Sequence, residues 1–162
     1  MKKLLWSGLV ASLFAMATLW GSRVSSSQES DVTKATRDRF IGAWRLAWLE
    51  EAGADGAVHR ADCTGMLVFT REGRMSVQVM YRSPQAGTPS GPVQYAEGGY
   101  EASFGRYEID ARSGQFTYHV EGALVRSLVG KDLTRVFELS GTRLVVKPPS
   151  PNEHWRVAWE HY

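Results

Sequence analysis

The stretch "GQFTYHVEGAL", Gly114–Leu124, has the alternating pattern of a β-strand with two different faces. Residues two apart in a strand point to the same side of a sheet. One face should carry the polar side chains Thr117, His119 and Glu121. The other should carry the apolar side chains Phe116, Tyr118 and Val120. A histidine and a glutamate on one face of a strand raise the question of what that face does.

Seven further runs of strand-forming residues are spaced along the chain. They lie at residues 43–50, 64–70, 75–81, 103–110, 133–140, 143–148 and 155–162. Turn sequences such as "REG", "ARSG", "SGT" and "PPSPN" separate several of them, and a further short strand is possible around His59. Strands joined by short loops favour antiparallel neighbours. The pattern therefore predicts an all-β fold, an antiparallel up-and-down β-barrel of about eight strands.

Residues 1–27 have the order of a secretory signal peptide. Two lysines precede the charge-free run Leu4–Trp20, and small and polar residues follow. Cleavage is possible near Ala15–Ala17 or near Val24–Ser26. The alternative is an uncleaved N-terminal membrane anchor, although the apolar run is just short of the roughly 20 residues of a spanning helix. Both alternatives predict an exported protein, periplasmic or secreted, which contacts the membrane through this segment only if the segment is uncleaved.

The remaining chain divides into a lead-in and one domain. Residues 28–39 are polar and predict a short helix over Val32–Arg39, and residues 40–162 form the barrel domain. The segment Arg82–Ala102 is rich in Gly, Pro and Ser. A loop of this length in a compact domain is often functional, so we expect it to be partly ordered over one barrel mouth.

Charge and cysteine content exclude several classes of protein. The chain has 19 Lys and Arg against 17 Asp and Glu, but three of the basic residues lie in residues 1–27, which leaves the domain at −1. No basic run interleaved with aromatics remains, so we expect no nucleic-acid partner. Cys63 is the single cysteine, which rules out an intrachain disulfide. No cluster of metal ligands is visible, and we expect neither a metal nor an organic cofactor.

Several segments, taken in order, resemble one family. They are "FIGAWRLAWLE", "TGMLVFTREGRMSVQVM", "YEASFGRYEID", "YHVEGAL", "GKDLTRVFELSGTRLVV" and "RVAWEHY". Together they resemble the lipocalin-like domain found in bacterial and fungal proteins, a relative of the lipocalin and calycin barrels. The resemblance covers Phe40–Tyr162 and implies a barrel that either binds a small molecule or catalyses a reaction. A fold alone does not fix which of these it is.

Two positions show how closely the resemblance holds. Gly42-Ala43-Trp44 has the Gly-x-Trp form that opens the first strand of lipocalins, where the tryptophan closes one barrel end against a basic side chain. Arg156 or Arg135 is the expected partner here, and a tryptophan buried without one is the alternative. Family members often carry Asn-Trp before the glycine of "VGKD", whereas this chain has Ser127 and Leu128 near Gly130. A relative's ligand therefore cannot be transferred to this chain.

The candidate site follows from placing His119 and Glu121 inside the barrel. Buried polar groups need partners. Arg135 on the neighbouring strand is the first candidate, and Gln78, Arg106 and Tyr107 on other strands are further ones. The predicted ligand-binding residues are His119, Glu121, Arg135, Tyr107 and Gln78.

Three hypotheses remain open for this predicted network. It is a purely structural arrangement in a filled barrel with no ligand, or it orients the polar end of a ligand, or it is catalytic. In the catalytic case His119 is a general acid or base whose tautomer Glu121 sets, and Arg135 stabilises an oxyanion. That chemistry suits a cofactor-independent isomerase or cyclase. The favoured hypothesis is an exported protein that binds a small apolar or amphipathic molecule in the barrel interior.

Overall fold

The computed structural model describes residues 21–53, 55–83 and 99–162. One helix, nine strands and one 3₁₀ turn make up the described chain. In chain order they are α1 Gly21–Phe40, β1 Gly42–Ala52, β2 Val58–Arg60, β3 Cys63–Phe69, β4 Arg74–Tyr81, β5 Tyr100–Asp110, β6 Gln115–Ala123, η1 Arg126–Leu128, β7 Asp132–Ser140, β8 Arg143–Lys147 and β9 Trp155–His161.

The strands form a closed antiparallel barrel. From β3 to β9 each strand pairs with the next, and β1 pairs with both β3 and β9. Eight strands thus close the barrel, and the short β2 pairs only with the end of β1. This confirms the predicted eight-stranded up-and-down barrel. The short β2 is the strand suggested around His59.

The helix is longer than the predicted Val32–Arg39. It begins at Gly21 and ends at Phe40, so it includes residues 21–27, which the sequence assigns to the leader. No proline or glycine interrupts residues 22–40, and nothing therefore stops the helix before Phe40. Over the described ranges of the chain, no helix has both the length and the apolar character needed to span a membrane. Residues 1–20 of the predicted leader and residues 84–98 of the predicted mouth loop lie outside the described residues.

The end of α1 fills one end of the barrel. Phe40 is fully buried, and its ring makes edge contacts with Phe69, Phe116 and Phe137 at centroid distances of 5.0, 5.9 and 4.9 Å. The indole Nε1 of Trp44 donates a hydrogen bond of 2.8 Å to the carbonyl oxygen of Phe40. Apolar burial drives this packing, since edge-to-face aromatic contacts add to the area removed from water. One barrel end is therefore closed by aromatic side chains.

The prediction that an arginine packs on Trp44 is wrong. Trp44 lies against the imidazole of His161 on β9, with ring centroids 3.8 Å apart. Gly42 makes room for this histidine. Its φ is +134°, and a Cβ on it would lie 2.6 Å from Cε1 of His161. The glycine of the Gly-x-Trp motif is thus required by the ring that packs on the tryptophan.

The two arginines expected beside Trp44 lie on other tryptophans, Arg156 outside the barrel and Arg135 inside it. Arg156 points outward from β9, where it forms an ion pair of 2.7 Å with Glu50 and lies over the ring of Trp48. Arg135 lies over the ring of Trp155, with its Cζ 5.2 Å from the ring centre. Each arginine therefore stacks on a different tryptophan from the one expected.

Candidate ligand-binding site

Strand β6 places its apolar face inside the barrel. Phe116, Tyr118 and Val120 are only 4%, 5% and 3% exposed. By alternation His119 and Glu121 lie on the outer face, so the interior position considered for them is wrong. The apolar set takes the inside because its burial is favourable, whereas ionisable side chains keep their partners and water outside.

Glu121 belongs to an ion-pair cluster on the outer surface. Its Oε1 lies 2.6 Å from Nη1 of Arg74 and 3.2 Å from Nε of Arg106. The hydrogen bond from Arg74 is the largest of the effects that hold the pKa of Glu121 below its usual range. Arg135 was the expected partner, but it lies on the inner face of the neighbouring strand. Glu121 and Arg135 are therefore separated by the wall of the barrel.

His119 has its own carboxylate partners, also on the outer surface. Its Nδ1 lies 2.7 Å from Asp132, and its Nε2 lies 3.7 Å from Glu108. Both carboxylates are well exposed. None of the contacts found among the described residues joins His119 to Glu121, which means that these two residues do not form the expected pair.

Gln78 and Tyr107 also lie away from the interior cavity described next. Gln78 points outward, and its Nε2 donates a 2.8 Å hydrogen bond to the hydroxyl of Ser76. Tyr107 points inward but belongs to the aromatic closed end, where its hydroxyl donates to the carbonyl oxygen of Thr70 at 2.9 Å. Of the five predicted ligand-binding residues, Arg135 is the one in the cavity wall.

The barrel interior holds a cavity of about 120 Å³. Twelve of its lining residues are apolar, and they include Leu67, Val77, Trp155 and Trp159. Four are polar, namely Glu101, Ser103, Tyr118 and Arg135. A mostly apolar wall with a few polar groups is the usual composition of a small-molecule site.

Arg135 is the cationic group of this cavity. One of its nitrogens, Nη1, donates a 2.9 Å hydrogen bond to the carbonyl oxygen of Thr134. No carboxylate of the described part of the chain lies within ion-pair distance of it. Burial lowers the pKa of Arg135, and the more distant charge of Glu153 opposes that effect. Most of the N–H donors of this guanidinium in the cavity wall are therefore without a hydrogen-bond partner among the described residues.

Glu101, Ser103 and Tyr118 form a second polar group in the same cavity. All three are 5–6% exposed. Within the described residues, Oε2 of Glu101 and the hydroxyl of Tyr118 have no hydrogen-bond partner. Burial raises the pKa of Glu101, and it raises the pKa of Tyr118 to about 12, while the nearby hydroxyl of Ser103 opposes both of these pKa shifts. Burial thus favours an uncharged carboxyl beside an uncharged phenol.

Sequence reasoning missed this second group for a specific reason. The predicted strand begins at Ser103, which left Glu101 in the preceding loop, whereas β5 begins at Tyr100. Extending the period-two pattern backward from Tyr107 would have placed Ser103 and Glu101 on the inner face. Tyr118 was assigned to the apolar face of β6, and its hydroxyl was not considered as a site group.

Replacing Glu101 by glutamine is expected to change the pH dependence of stability. Because burial raises the pKa of Glu101 above its usual 4.5, the folded protein holds this proton more tightly than the unfolded chain does. The wild type therefore loses stability as the pH rises from that value through the pKa of the folded state. Glutamine does not titrate, so E101Q should gain stability relative to the wild type across the same window and then keep a constant difference.

Urea unfolding of both proteins at a series of pH values measures this difference in free energy. The other carboxyl groups are common to the two proteins and cancel in the subtraction. A difference that stays constant from acidic to neutral pH would contradict an elevated pKa for Glu101.

A comparison with known protein families agrees with this architecture. A family model described as a lipocalin-like domain matches residues 41–160. Among solved structures, the chain is similar to the crystal structure of the fluorescent protein UnaG N57A mutant, at 15% sequence identity and a TM-score of 0.38. That match covers 77% of this chain and 97% of the other. No curated protein matches the chain.

Proposed function

The chain belongs to the lipocalin-like domain family, and from that premise we propose that it binds a small, mostly apolar molecule inside its barrel. The observation that carries this proposal is the interior cavity of about 120 Å³, in which Arg135, Glu101 and Tyr118 offer polar groups without full sets of partners. Buried polar groups are normally satisfied, and a bound ligand with its own polar end would satisfy these.

The two alternative functions have less support. A filled structural barrel would leave neither a cavity nor unpartnered polar groups facing it. The proposed isomerase or cyclase depends on His119 and Glu121 acting together on an enclosed substrate. Both side chains instead engage separate partners on the outer surface. A reaction inside the barrel would need other residues for proton transfer.

Export is part of the proposal. It is supported by the basic start, the charge-free run Leu4–Trp20 and the small residues that follow it. A cut at Val24–Ser26 would fall inside α1. Retention of the leader as a membrane anchor is the alternative, and an intact mass distinguishes the two.

Native mass spectrometry of the protein isolated from the exported fraction tests both points. We expect a chain shortened at its N-terminus that carries a reproducible small-molecule adduct. Val77→Phe should abolish the adduct, because Val77 lines the cavity and the larger ring would fill it. Val68→Phe is the matched control, since Val68 lies on the outer side of β3.

The binding proposal fails if the Val77→Phe protein folds and keeps the adduct, because the molecule would then lie elsewhere. It also fails if the wild type carries no adduct and takes up neither neutral nor anionic small aromatic probes. An exported chain of full mass that is extracted only with detergent would show that the leader is not cleaved and serves as a membrane anchor.

A further inference from the structure

The polar groups of the cavity differ in charge and do not compensate one another. Arg135 is a permanent cation, and among the described residues its guanidinium contacts one backbone carbonyl and the face of Trp155. Glu101 is the carboxyl group in the cavity wall, yet it forms no ion pair with Arg135. A partly buried guanidinium without a counter-ion is unfavourable, and an anion brought by a ligand would reduce that cost.

The same two groups fix the direction in which an anionic ligand would lie. Near Glu101 an anion would meet hydroxyl groups that carry no net positive charge, and it would be repelled by the carboxyl group whenever that group is ionised. Near Arg135 it would meet the planar fork of donors that matches a carboxylate in a bidentate arrangement. The uncharged part of the ligand would then lie along the apolar wall towards Glu101, Ser103 and Tyr118.

The size of the cavity limits the ligand further. A dry cavity of about 150 Å³ in another protein holds a molecule of benzene. A cavity of about 120 Å³ therefore suits a single ring or a short branched chain inside the barrel. Two large side chains of the wall, Trp155 and Trp159, restrict the width available to it.

We propose that the cavity selects a small monocarboxylate, aromatic or short-chain aliphatic, whose carboxylate pairs with Arg135. This inference rests on the proposed function and adds to it the charge, the size and the orientation of the ligand. Arg135 is the specificity-determining residue, because the apolar wall alone does not distinguish an acid from a neutral molecule of the same shape.

Benzoate and benzamide form a matched pair of probes for this proposal. They have nearly the same shape, and at neutral pH only benzoate carries a charge. Binding to the leaderless domain can be followed by calorimetry and by the rise in unfolding temperature with probe concentration. We expect benzoate to bind about tenfold or more tightly than benzamide, as charge-assisted hydrogen bonds require.

Variants at two arginines assign the preference to the cavity. Arg135→Met should reduce the ratio of the two affinities to about one, and Arg135→Lys should keep part of it because the charge remains. Arg106→Met is the control. It removes one positive charge from the outer surface, where Arg74 still pairs with Glu121, and it should leave the ratio unchanged.

The outcomes separate this inference from the proposed function. Equal affinities for the two probes in the wild type would overturn the inference and leave the binding proposal standing. A preference for benzoate that persists in Arg135→Met would also overturn it. Binding of neither probe up to millimolar concentrations would count against both.

Discussion

Replacing Phe40 by alanine is expected to destabilise the domain by roughly 3–5 kcal/mol. Phe40 is fully buried and makes edge contacts with three other phenylalanine rings, so its removal leaves a void at the closed end of the barrel. The void cannot close easily, because the surrounding rings are held by strands on different sides of the barrel. The change should also loosen Trp44, whose indole donates to the Phe40 carbonyl.

Urea or thermal unfolding of the protein with α1 intact measures this loss. Val32→Ala is the control on the same helix, because Val32 is 51% exposed and a surface change of this kind should stay within about 0.5 kcal/mol of the wild type. Equal stabilities of the Phe40→Ala and Val32→Ala proteins would mean that α1 does not contribute to the core.

The Arg135→Met variant is expected to be more stable than the wild type when no ligand is present, by about 1–2 kcal/mol. Methionine fills a similar volume and packs against Trp155, and it does not bring a cation into a largely apolar cavity. Most substitutions in a protein core destabilise it, so the sign of this effect is informative. If Arg135 lowers the stability of the ligand-free protein, its place in the cavity wall is explained by ligand binding and not by support of the fold.

Chemical denaturation of the ligand-free proteins tests the sign. Arg106→Met provides the comparison for loss of one arginine at an exposed position, and it should be neutral or slightly destabilising because a surface ion pair contributes little. If Arg135→Met is clearly less stable than the wild type, Arg135 supports the fold through its contacts with Thr134 and Trp155. The free-energy cost of placing its charge in the cavity wall is then small.

The sequence predicted the barrel well because strand patterns are local. Each predicted run became a strand, and the closure between β1 and β9 follows from the number of strands and the need to cover two edges. The two faces of β6 were also separated correctly, with Phe116, Tyr118 and Val120 on one side. The pattern of a single strand does not show which of its two faces lies inside the barrel when each face carries side chains that could belong to a site.

The candidate site was harder to predict because it depends on contacts between distant strands. Arg135 was identified, but its expected partner Glu121 proved to lie outside the barrel with Arg74. Glu101 was missed because the start of its strand was placed three residues too late. His161, rather than an arginine, packs on Trp44, and Gly42 leaves room for its ring. The spacing of residues in the sequence does not reveal which side chain of a C-terminal strand fills the space beside Gly42.

The pairing of β1 with β9 also governs how the chain is made. Trp44 lies opposite His161, so the seam of the barrel joins segments more than a hundred residues apart. A growing chain holds the open edges of β1 and β8 until the seven residues of β9 leave the ribosome. During that interval the same edges can pair with a neighbouring chain, and prompt arrival of the last strand is what makes each copy close upon itself.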